Sequence, residues 1–211
     1  MSTAEQASVC SKCSALGLTF DRAYGVADFL EGYPDSPIWI IGLNPANEIG
    51  WKDEGRTIEQ LAEGFRAIAI KHPYFRDFNR VSPWLYGLLG KPHGVAHTDL
   101  VKCSTKQWPP LNCSRKATSA IVENCTPFLR EQLIRYKPKM VICNGAEVCA
   151  HINTTIPPLE PAENHTSYRG VIEGFEVCVV LSGFIGRIDN YSRMRLGAEI
   201  EQLAAEIGIK T

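Results

Sequence analysis

Short apolar runs separated by longer amphipathic stretches form the main pattern of the chain. The run Pro37-Ile-Trp-Ile-Ile-Gly42 is apolar throughout, which is typical of a strand that is buried on both faces. Residues 95–101 predict a second strand and residues 139–143 a third, buried one, and residues 168–181 predict a hairpin that turns at Glu173-Gly174. We therefore expect a sheet whose strands are mostly parallel.

Helical patterns fill the intervals between the predicted strands. Thr57-Ile-Glu-Gln60 is a capping-box pattern and predicts a helix to about His72, where Pro73 ends it. Further helices are predicted to begin at Ser82-Pro83, near Ala117, at Thr126-Pro127, after Gly145 and near Tyr191. Strands that alternate with helices predict one domain over residues 1–211, a three-layer α/β/α sandwich around a mostly parallel four-stranded sheet.

Composition and charge narrow the possible classes of protein. The 211 residues are 45% hydrophobic, which argues against a disordered chain. The net charge is −1, so any contact with nucleic acid has to depend on local basic patches. No apolar stretch approaches the roughly 20 residues of a membrane span, and the first residues do not resemble a signal peptide. We expect a monomer in the cytoplasm.

Three predicted loops leave the carboxyl ends of the strands, at 42–50, 98–105 and 181–188. All three carry glycine or unusual polar residues. Ligand sites of parallel α/β sheets lie at the carboxyl ends of the strands. We therefore expect these loops to converge on the functional site.

Four of the eight cysteines are candidate metal ligands. Cys10 and Cys13 are close enough in sequence for both thiolates to bind one metal centre, and Cys103 and Cys125 could complete the set. Metal binding is favoured over disulfides because the chain carries no export signal.

Three segments between residues 98 and 145 carry a recognisable pattern. They are Thr98-Asp-Leu-Val-Lys-Cys103, Cys125-Thr-Pro-Phe-Leu-Arg-Glu-Gln-Leu133 and Lys137-Pro-Lys-Met-Val-Ile-Cys-Asn-Gly145. In order and spacing they resemble the uracil-DNA glycosylase superfamily, and most closely its iron–sulfur branch, family 4. The resemblance implies a uracil-DNA glycosylase-like fold.

The same resemblance implies a [4Fe-4S] cluster with a structural role, held by Cys10, Cys13, Cys103 and Cys125. A zinc ion is the alternative, because four thiolates alone do not distinguish the two. Cys113 stays open as a substitute ligand. The remaining cysteines are expected to be small buried hydrophobic residues.

The first loop departs from family 4. Gly42-Leu-Asn-Pro-Ala46 has Leu43 where that branch carries an acidic residue. It resembles instead the Gly-x-Asn-Pro loop of the mismatch-specific uracil/thymine glycosylases, in which the asparagine positions the attacking water. The resemblance implies that role for Asn44, while the alternative is that Asn-Pro simply forms a turn.

The third loop, Leu181-Ser-Gly-Phe-Ile-Gly-Arg187, resembles the His-Pro-Ser-x-x-x-Arg segment of the family. Leu181 stands where the family histidine stabilises the departing uracil anion. The loop is expected to contact DNA through Ser182, Gly183, Phe184, Ile185 and Arg187, with Phe184 and Ile185 as apolar wedges. The alternative is that these two residues belong to the core.

The flipped base is expected to be bound by residues of the first two loops and by an aromatic side chain. The resemblance assigns stacking to Phe75, with Tyr74 and Phe78 as alternatives. Asp99 stands where family 4 has a base-reading asparagine. The backbone of Gly42, Leu43 and Ala46 is expected to contact the base.

The predicted function is therefore a monofunctional DNA repair enzyme. It would flip uracil out of DNA and hydrolyse the N-glycosidic bond, leaving an abasic site, as in base excision repair. Two alternatives remain: a module that binds damaged or abasic DNA without catalysis, and a zinc-stabilised enzyme of nucleotide metabolism.

Overall fold

The computed structural model describes residues 6–7, 9–16, 30–45, 57–103, 105, 107–160 and 166–210. The strands in this part are β1 (Ile38–Gly42), β2 (Val95–Asp99), β3 (Met140–Asn144), β4 (Ser167–Ile172) and β5 (Phe175–Gly183). The helices are α1 (Ile58–Ala69), α2 (Pro73–Val81), α3 (Pro83–Gly87), α4 (Arg115–Tyr136), α5 (Ala146–Thr155) and α6 (Asn190–Glu206), with 3₁₀ turns at Ser14–Leu16 and Ile185–Arg187.

The strands form one sheet in the order β2-β1-β3-β5-β4. β1 runs parallel to β2 and β3, and β3 runs parallel to β5, as predicted. The described sheet has five strands rather than the predicted four. The difference is β4, which the hairpin adds as an antiparallel edge strand. The hairpin turns where predicted, at Glu173 and Gly174, both of which have positive φ.

Helices cover both faces of the sheet, which confirms the three-layer sandwich. Trp39 and Ile41 of β1 pack into the core formed with α4 and α5. Ile38 and Ile40 pack into the opposite core, formed with α1, α2, α3 and α6. All four side chains are fully buried. β1 therefore shows no alternation of hydrophobic and polar residues, because neither of its faces meets solvent.

The helix boundaries confirm some predictions and correct others. Thr57 and Gln60 form the predicted capping box at the start of α1. Pro73, by contrast, begins α2, because the first helical position needs no N–H donor. α4 continues through Pro127 instead of restarting there. Buried side chains before and after the proline, Ile121 and Leu129 among them, hold both halves against the sheet. None of the described helices is long and apolar enough to cross a membrane.

Candidate active site

The carboxyl ends of four strands place the predicted site residues along one edge of the sheet. Gly42 ends β1 and pairs with Asp99 at the end of β2. Asn144 ends β3 and pairs with Gly183 at the end of β5, after a shift in register. The described parts of all three predicted loops begin at this edge, where α/β sheets bind their ligands.

Gly42 is the most crowded backbone position at this edge. A Cβ atom added there would lie 2.4 Å from Asp99 Oδ1, 2.9 Å from His97 Nε2 and 3.0 Å from the Tyr74 hydroxyl. Three polar side chains therefore converge on the α-carbon of this glycine. The close approach requires a residue without a side chain, which explains glycine at this position.

The side chains of Glu31 and His97 form a partly buried contact beside Gly42. The Nδ1 atom of His97 lies 2.7 Å from Glu31 Oε2, and its Nε2 atom lies 3.9 Å from Asp99 Oδ1. Burial lowers the pKa of His97, but the negative charges of Asp99 and Glu31 and the hydrogen bond to Glu31 together raise it above the usual value. The imidazole is thus held between two carboxyl groups.

Asp99 is the carboxyl group most affected by this arrangement. Its side chain is only 16% exposed. Burial raises the pKa of Asp99 to about 6; His97 and Lys102 oppose this shift, while Glu31 adds to it. Asp99 therefore gains or loses its proton near pH 6, in a pH range where few side chains titrate.

Phe75 and Tyr74 enclose the imidazole of His97. The ring centroid of Phe75 lies 5.0 Å from that of His97, and the ring of Tyr74 lies 5.6 Å away, both in edge-on contact. Phe75 also contacts Phe65 and is buried in the core. In this structure the predicted stacking residue thus packs against His97.

Several polar atoms near the strand ends have few or no hydrogen-bond partners. Within the described residues, His97 Nε2 is buried and has no hydrogen-bond partner, and the buried Tyr74 hydroxyl and Asn144 Nδ2 have none other than each other. Burial raises the pKa of Tyr74 far above its usual value, so its hydroxyl stays protonated. Buried polar groups are usually paired, so these atoms are candidates for contact with water or a ligand.

Asn44 is held by the segment that follows the second strand. Its Nδ2 atom donates to Thr105 Oγ1 at 3.2 Å and to Pro45 O at 3.2 Å. The Thr105 hydroxyl in turn donates to Gln107 O at 2.6 Å. Both hydrogen bonds use the amide nitrogen of Asn44, and they therefore fix the direction of its carbonyl oxygen. Leu43 is half-buried against the core, and Ala46 lies outside the described residues.

Two side chains hold the segment after β5 in place through hydrogen bonds. Asn144 Oδ1 accepts a hydrogen bond from the Ile185 N–H at 3.0 Å, and Arg193 Nε donates to Ile185 O at 3.1 Å. Ile185 is 1% exposed and belongs to the core, as the alternative interpretation expected. Ser182 is also buried, and its hydroxyl donates to Cys143 O at 2.9 Å. Both side chains therefore support the loop from within.

Phe184 and Arg187 are the exposed side chains of this segment. Phe184 is 42% exposed although it is large and apolar. The guanidinium carbon of Arg187 lies 5.7 Å from the centroid of the Phe184 ring. Gly183 precedes them with φ of 63° and allows the chain to turn at the strand end. The result is an aromatic side chain and a cation presented together at the surface.

The four predicted ligand cysteines line one small cavity. Its walls are formed by Ala7, Cys10, Cys13, Lys102, Cys103, Asn124, Cys125 and Phe128. The Cys103 thiol hydrogen-bonds to Cys125 and thereby lowers the pKa of the Cys125 thiol to about 7. Asn124 Nδ2 donates to Cys13 Sγ at 3.5 Å. Four thiols are a donor set that suits an iron–sulfur cluster or zinc.

The geometry of the cavity is not that of a formed metal site. Among the described residues, no group of three or more cysteine, histidine or acidic side chains is arranged to hold a metal ion. Cys113 does not line the cavity within the described part of the chain. The donor chemistry therefore fits a metal, and the ligand set stays a prediction.

Lys102 lies between the cysteine cavity and Asp99. It is fully buried; its Nζ atom donates to Gln132 Oε1 at 2.6 Å, to Thr98 Oγ1 at 3.0 Å and to the Asp99 carbonyl. Burial lowers the pKa of Lys102 to about 8. The Lys102 side chain therefore contacts both the cysteine cavity and the backbone of Asp99.

Four residues of this arrangement do not appear among the sequence-based candidates: Glu31, His97, Thr105 and Asn144. His97 had a usable signal, since it lies two positions before Asp99 and strand residues two apart share a face. Glu31 had none, because its contact with His97 joins residues distant in sequence.

Comparison with known proteins identifies the family. No curated protein matches the chain significantly. The family model described as "Uracil DNA glycosylase superfamily" matches residues 29–182. The matched region contains nearly the whole sheet and the ends of β1, β2 and β3, whereas Cys10 and Cys13 lie outside it. The match covers well over half of the 211 residues, and the chain therefore belongs to the uracil DNA glycosylase superfamily.

Proposed function

We propose that this protein is a monofunctional uracil-DNA glycosylase that hydrolyses the N-glycosidic bond of deoxyuridine and leaves an abasic site. Membership of the superfamily implies a DNA glycosylase, a hydrolase that acts on DNA. The finer assignment rests on one observation above all. Asn44 is fixed by hydrogen bonds from its amide nitrogen to Thr105 and Pro45 at the edge where the strands end.

The hydrogen bonds of Asn44 suit a water-positioning role. With Nδ2 engaged, the carbonyl oxygen is the atom available to accept a hydrogen bond from water. An amide is too weak a base to remove a proton early in the reaction. It suffices when the bond to uracil breaks first and a preoriented water then attacks C1′. Asn44 is the proposed catalytic residue.

Release of the uracil anion has to proceed without a histidine side chain at position 181. Leu181 cannot donate a hydrogen bond from its side chain, and its backbone N–H donates to Thr166 O at 2.7 Å. We assign contact with the base to the backbone of Gly42, Leu43 and Ala46 and to Asp99. Backbone N–H groups stabilise a developing anion in the same way as an oxyanion hole does.

Contact with distorted DNA is assigned to Phe184 and Arg187. An exposed aromatic ring can fill the space left in the base stack, and a guanidinium beside it can contact phosphate. Ser182, Gly183 and Ile185 shape this loop. Ile185 is buried, so the wedge role belongs to Phe184 alone.

The cluster proposed for Cys10, Cys13, Cys103 and Cys125 is structural. When bound, a [4Fe-4S] cluster supplies four metal–thiolate attachments that restrain the chain; zinc is the alternative. These attachments would join the N-terminal segment to the region after β2 and to α4. The reaction itself needs no electron transfer.

The test is uracil release from labelled oligonucleotides, single-stranded or with uracil opposite adenine or guanine, followed by alkaline cleavage of abasic sites. We expect strand scission by the wild type, a loss of about 100-fold or more in Asn44→Ala, and little change in Leu181→Ala. Equal activity of wild type and Asn44→Ala would contradict the water-positioning role.

A second function is favoured by Leu181 and Asp99, which depart from the family pattern at two reactive positions. It is a module that binds damaged or abasic DNA without cleaving the glycosidic bond. Retained binding of abasic DNA, with no scission of any uracil substrate, would establish this function instead.

A further inference from the structure

Three polar atoms from two structural elements meet at Gly42. His97 Nε2 and Asp99 Oδ1 come from β2, and the Tyr74 hydroxyl comes from α2. His97 Nε2 is fully buried and, within the described residues, lacks a hydrogen-bond partner; the buried Tyr74 hydroxyl has no partner there other than Asn144. His97 Nε2 lies 3.9 Å from Asp99 Oδ1, so the carboxyl group of Asp99 faces this unpaired nitrogen.

Glu31 fixes the orientation of the imidazole in this cluster. The segment that carries Glu31 joins β2 by two backbone hydrogen bonds between Glu31 and His97, each 2.8 Å long. The same two residues are joined again through Glu31 Oε2 and His97 Nδ1, 2.7 Å apart. With Nδ1 facing Glu31, Nε2 is the ring nitrogen directed at Asp99, 3.9 Å from its Oδ1 atom.

We propose that His97, held by Glu31, acts through Asp99 to set the pH range in which the enzyme releases uracil. The inference rests on the proposed function, because it assigns the base-reading role to Asp99. His97 is then a positioning residue, since it touches Asp99 and not the base.

The chemistry of the base requires Asp99 to be neutral. Uracil presents an N3–H donor next to the O4 acceptor, and a protonated carboxyl offers one acceptor and one donor in return. An ionised carboxylate would repel O4 and also the negative charge that develops on the departing base. Uracil release should therefore increase as Asp99 takes up a proton.

Three charged residues act on Asp99. His97 lies on β2, Glu31 lies on the segment before β1, and Lys102 follows β2; the nearest group on α2 is the neutral Tyr74 hydroxyl. A protonated His97 stabilises the ionised form of Asp99 and so lowers its pKa, against the effect of burial. His97 consequently restricts uracil release to lower pH than burial alone would allow.

The experiment is single-turnover uracil release from a single-stranded oligonucleotide between pH 5 and pH 8, with all samples cleaved afterwards under identical alkaline conditions. The wild-type rate should rise as the pH falls through about 6. In His97→Asn the side-chain amide can still donate to Glu31, but it carries no charge. The midpoint of the pH profile, the pH at which the rate is half of its maximum, should therefore move upward by about one pH unit or more. Asp99→Asn should show no such rise, since asparagine offers donor and acceptor at every pH.

The midpoint, and not the maximal rate, is the deciding quantity, because a merely structural role of His97 would lower the rate at all pH values alike. His97→Gln, also uncharged, serves as a second variant if His97→Asn folds poorly. An NMR titration of ¹³Cγ of Asp99 in wild type and variant measures the same shift without activity.

Coincident midpoints of wild type and both His97 variants would overturn the inference, as would a wild-type profile that persists in Asp99→Asn. In either case the proposed function would still hold, because the protein would still release uracil. Absence of release by every variant at every pH would overturn the proposed function and this inference with it.

Discussion

Asn144 and Ile185 connect the end of β3 to the segment that presents Phe184 and Arg187, through a hydrogen bond of 3.0 Å. Asn144→Ala leaves the buried Ile185 N–H without an acceptor, at an expected cost of about 1–3 kcal/mol. The exposed Phe184 and Arg187 should then be less well placed, and affinity for uracil DNA should fall. Urea denaturation and fluorescence anisotropy measure the two effects.

The control for this change is Asn153→Ala, in which an exposed asparagine of α5 is truncated. It should alter neither stability nor DNA affinity appreciably. If both variants behave alike, the hydrogen bond to Ile185 does not place the loop.

Phe184→Ala should reduce uracil release from duplex DNA by about tenfold, which corresponds to the stacking energy of one base on an aromatic ring. The loss should be smaller on single-stranded substrate, because no neighbouring base pair has to be replaced there. Tyr191→Ala removes an aromatic ring that is even more exposed, at the start of α6, and serves as the control. Equal losses on single-stranded and duplex substrates would argue against a wedge.

Thr105→Val should lower kcat by about fivefold to tenfold with little change in KM, because Asn44 loses the acceptor that orients its amide while base contacts stay intact. Thr105→Ser keeps the hydroxyl and should restore most of the rate. A change confined to KM, or failure of serine to rescue, would contradict the positioning of Asn44 by Thr105.

The raised pKa of Asp99 predicts a pH-dependent stability difference for Asp99→Asn. A carboxyl whose folded-state pKa is raised contributes stability below its unfolded value, and this contribution is lost as the pH rises through the folded-state pKa. A shift from 3.8 to about 6 corresponds to roughly 3 kcal/mol as an upper bound.

Asp99→Asn should therefore be more stable than wild type at pH 8 and nearly equal to it at pH 4. Urea denaturation at the two pH values provides the measurement. Asp35→Asn, which changes an exposed carboxyl, should show no such difference. A difference that is the same at both pH values would exclude a buried ionised Asp99 as its cause.

Cysteine variants test the proposed metal centre. Protein purified without oxygen should be brown and contain iron, and Cys125→Ser should lose colour and iron together. Cys149→Ser changes a half-buried thiol of α5 outside the cavity and should keep both. A colourless wild type that contains zinc would replace the cluster by the alternative ion.

The sequence predicts much of the fold because local signals agree with the tertiary arrangement. β1 is apolar throughout and buried on both faces, and the Thr57 capping box starts α1 where the pattern places it. Proline is the source of both helix errors. At Pro73 it opens a helix, and at Pro127 it lies within one, and only packing against the sheet distinguishes these cases from a helix end.

The sequence predicts the site residues that lie at the ends of the strands. Gly42 and Asp99 lie side by side because each ends a neighbouring parallel strand. The contact between Glu31 and His97 depends on how a segment outside the regular strands docks on β2, and no local pattern encodes such docking. The burial of Ile185 likewise depends on the hydrogen bond that its N–H donates to Asn144 and the one that its carbonyl accepts from Arg193.

Glu31 approaches the polar cluster from a segment that lies outside the helices and strands of the sandwich. Its carboxylate acts on Asp99 in two ways: it holds the imidazole that lies between them, and its negative charge itself raises the pKa of Asp99. Under the proposed role of His97, a substitution of Glu31 would change the pH dependence of uracil release while Phe184 and Arg187, at the other end of the row of strand ends, keep their places. In a laboratory selection for activity at a different pH, Glu31 is therefore a position at which we expect changes to accumulate.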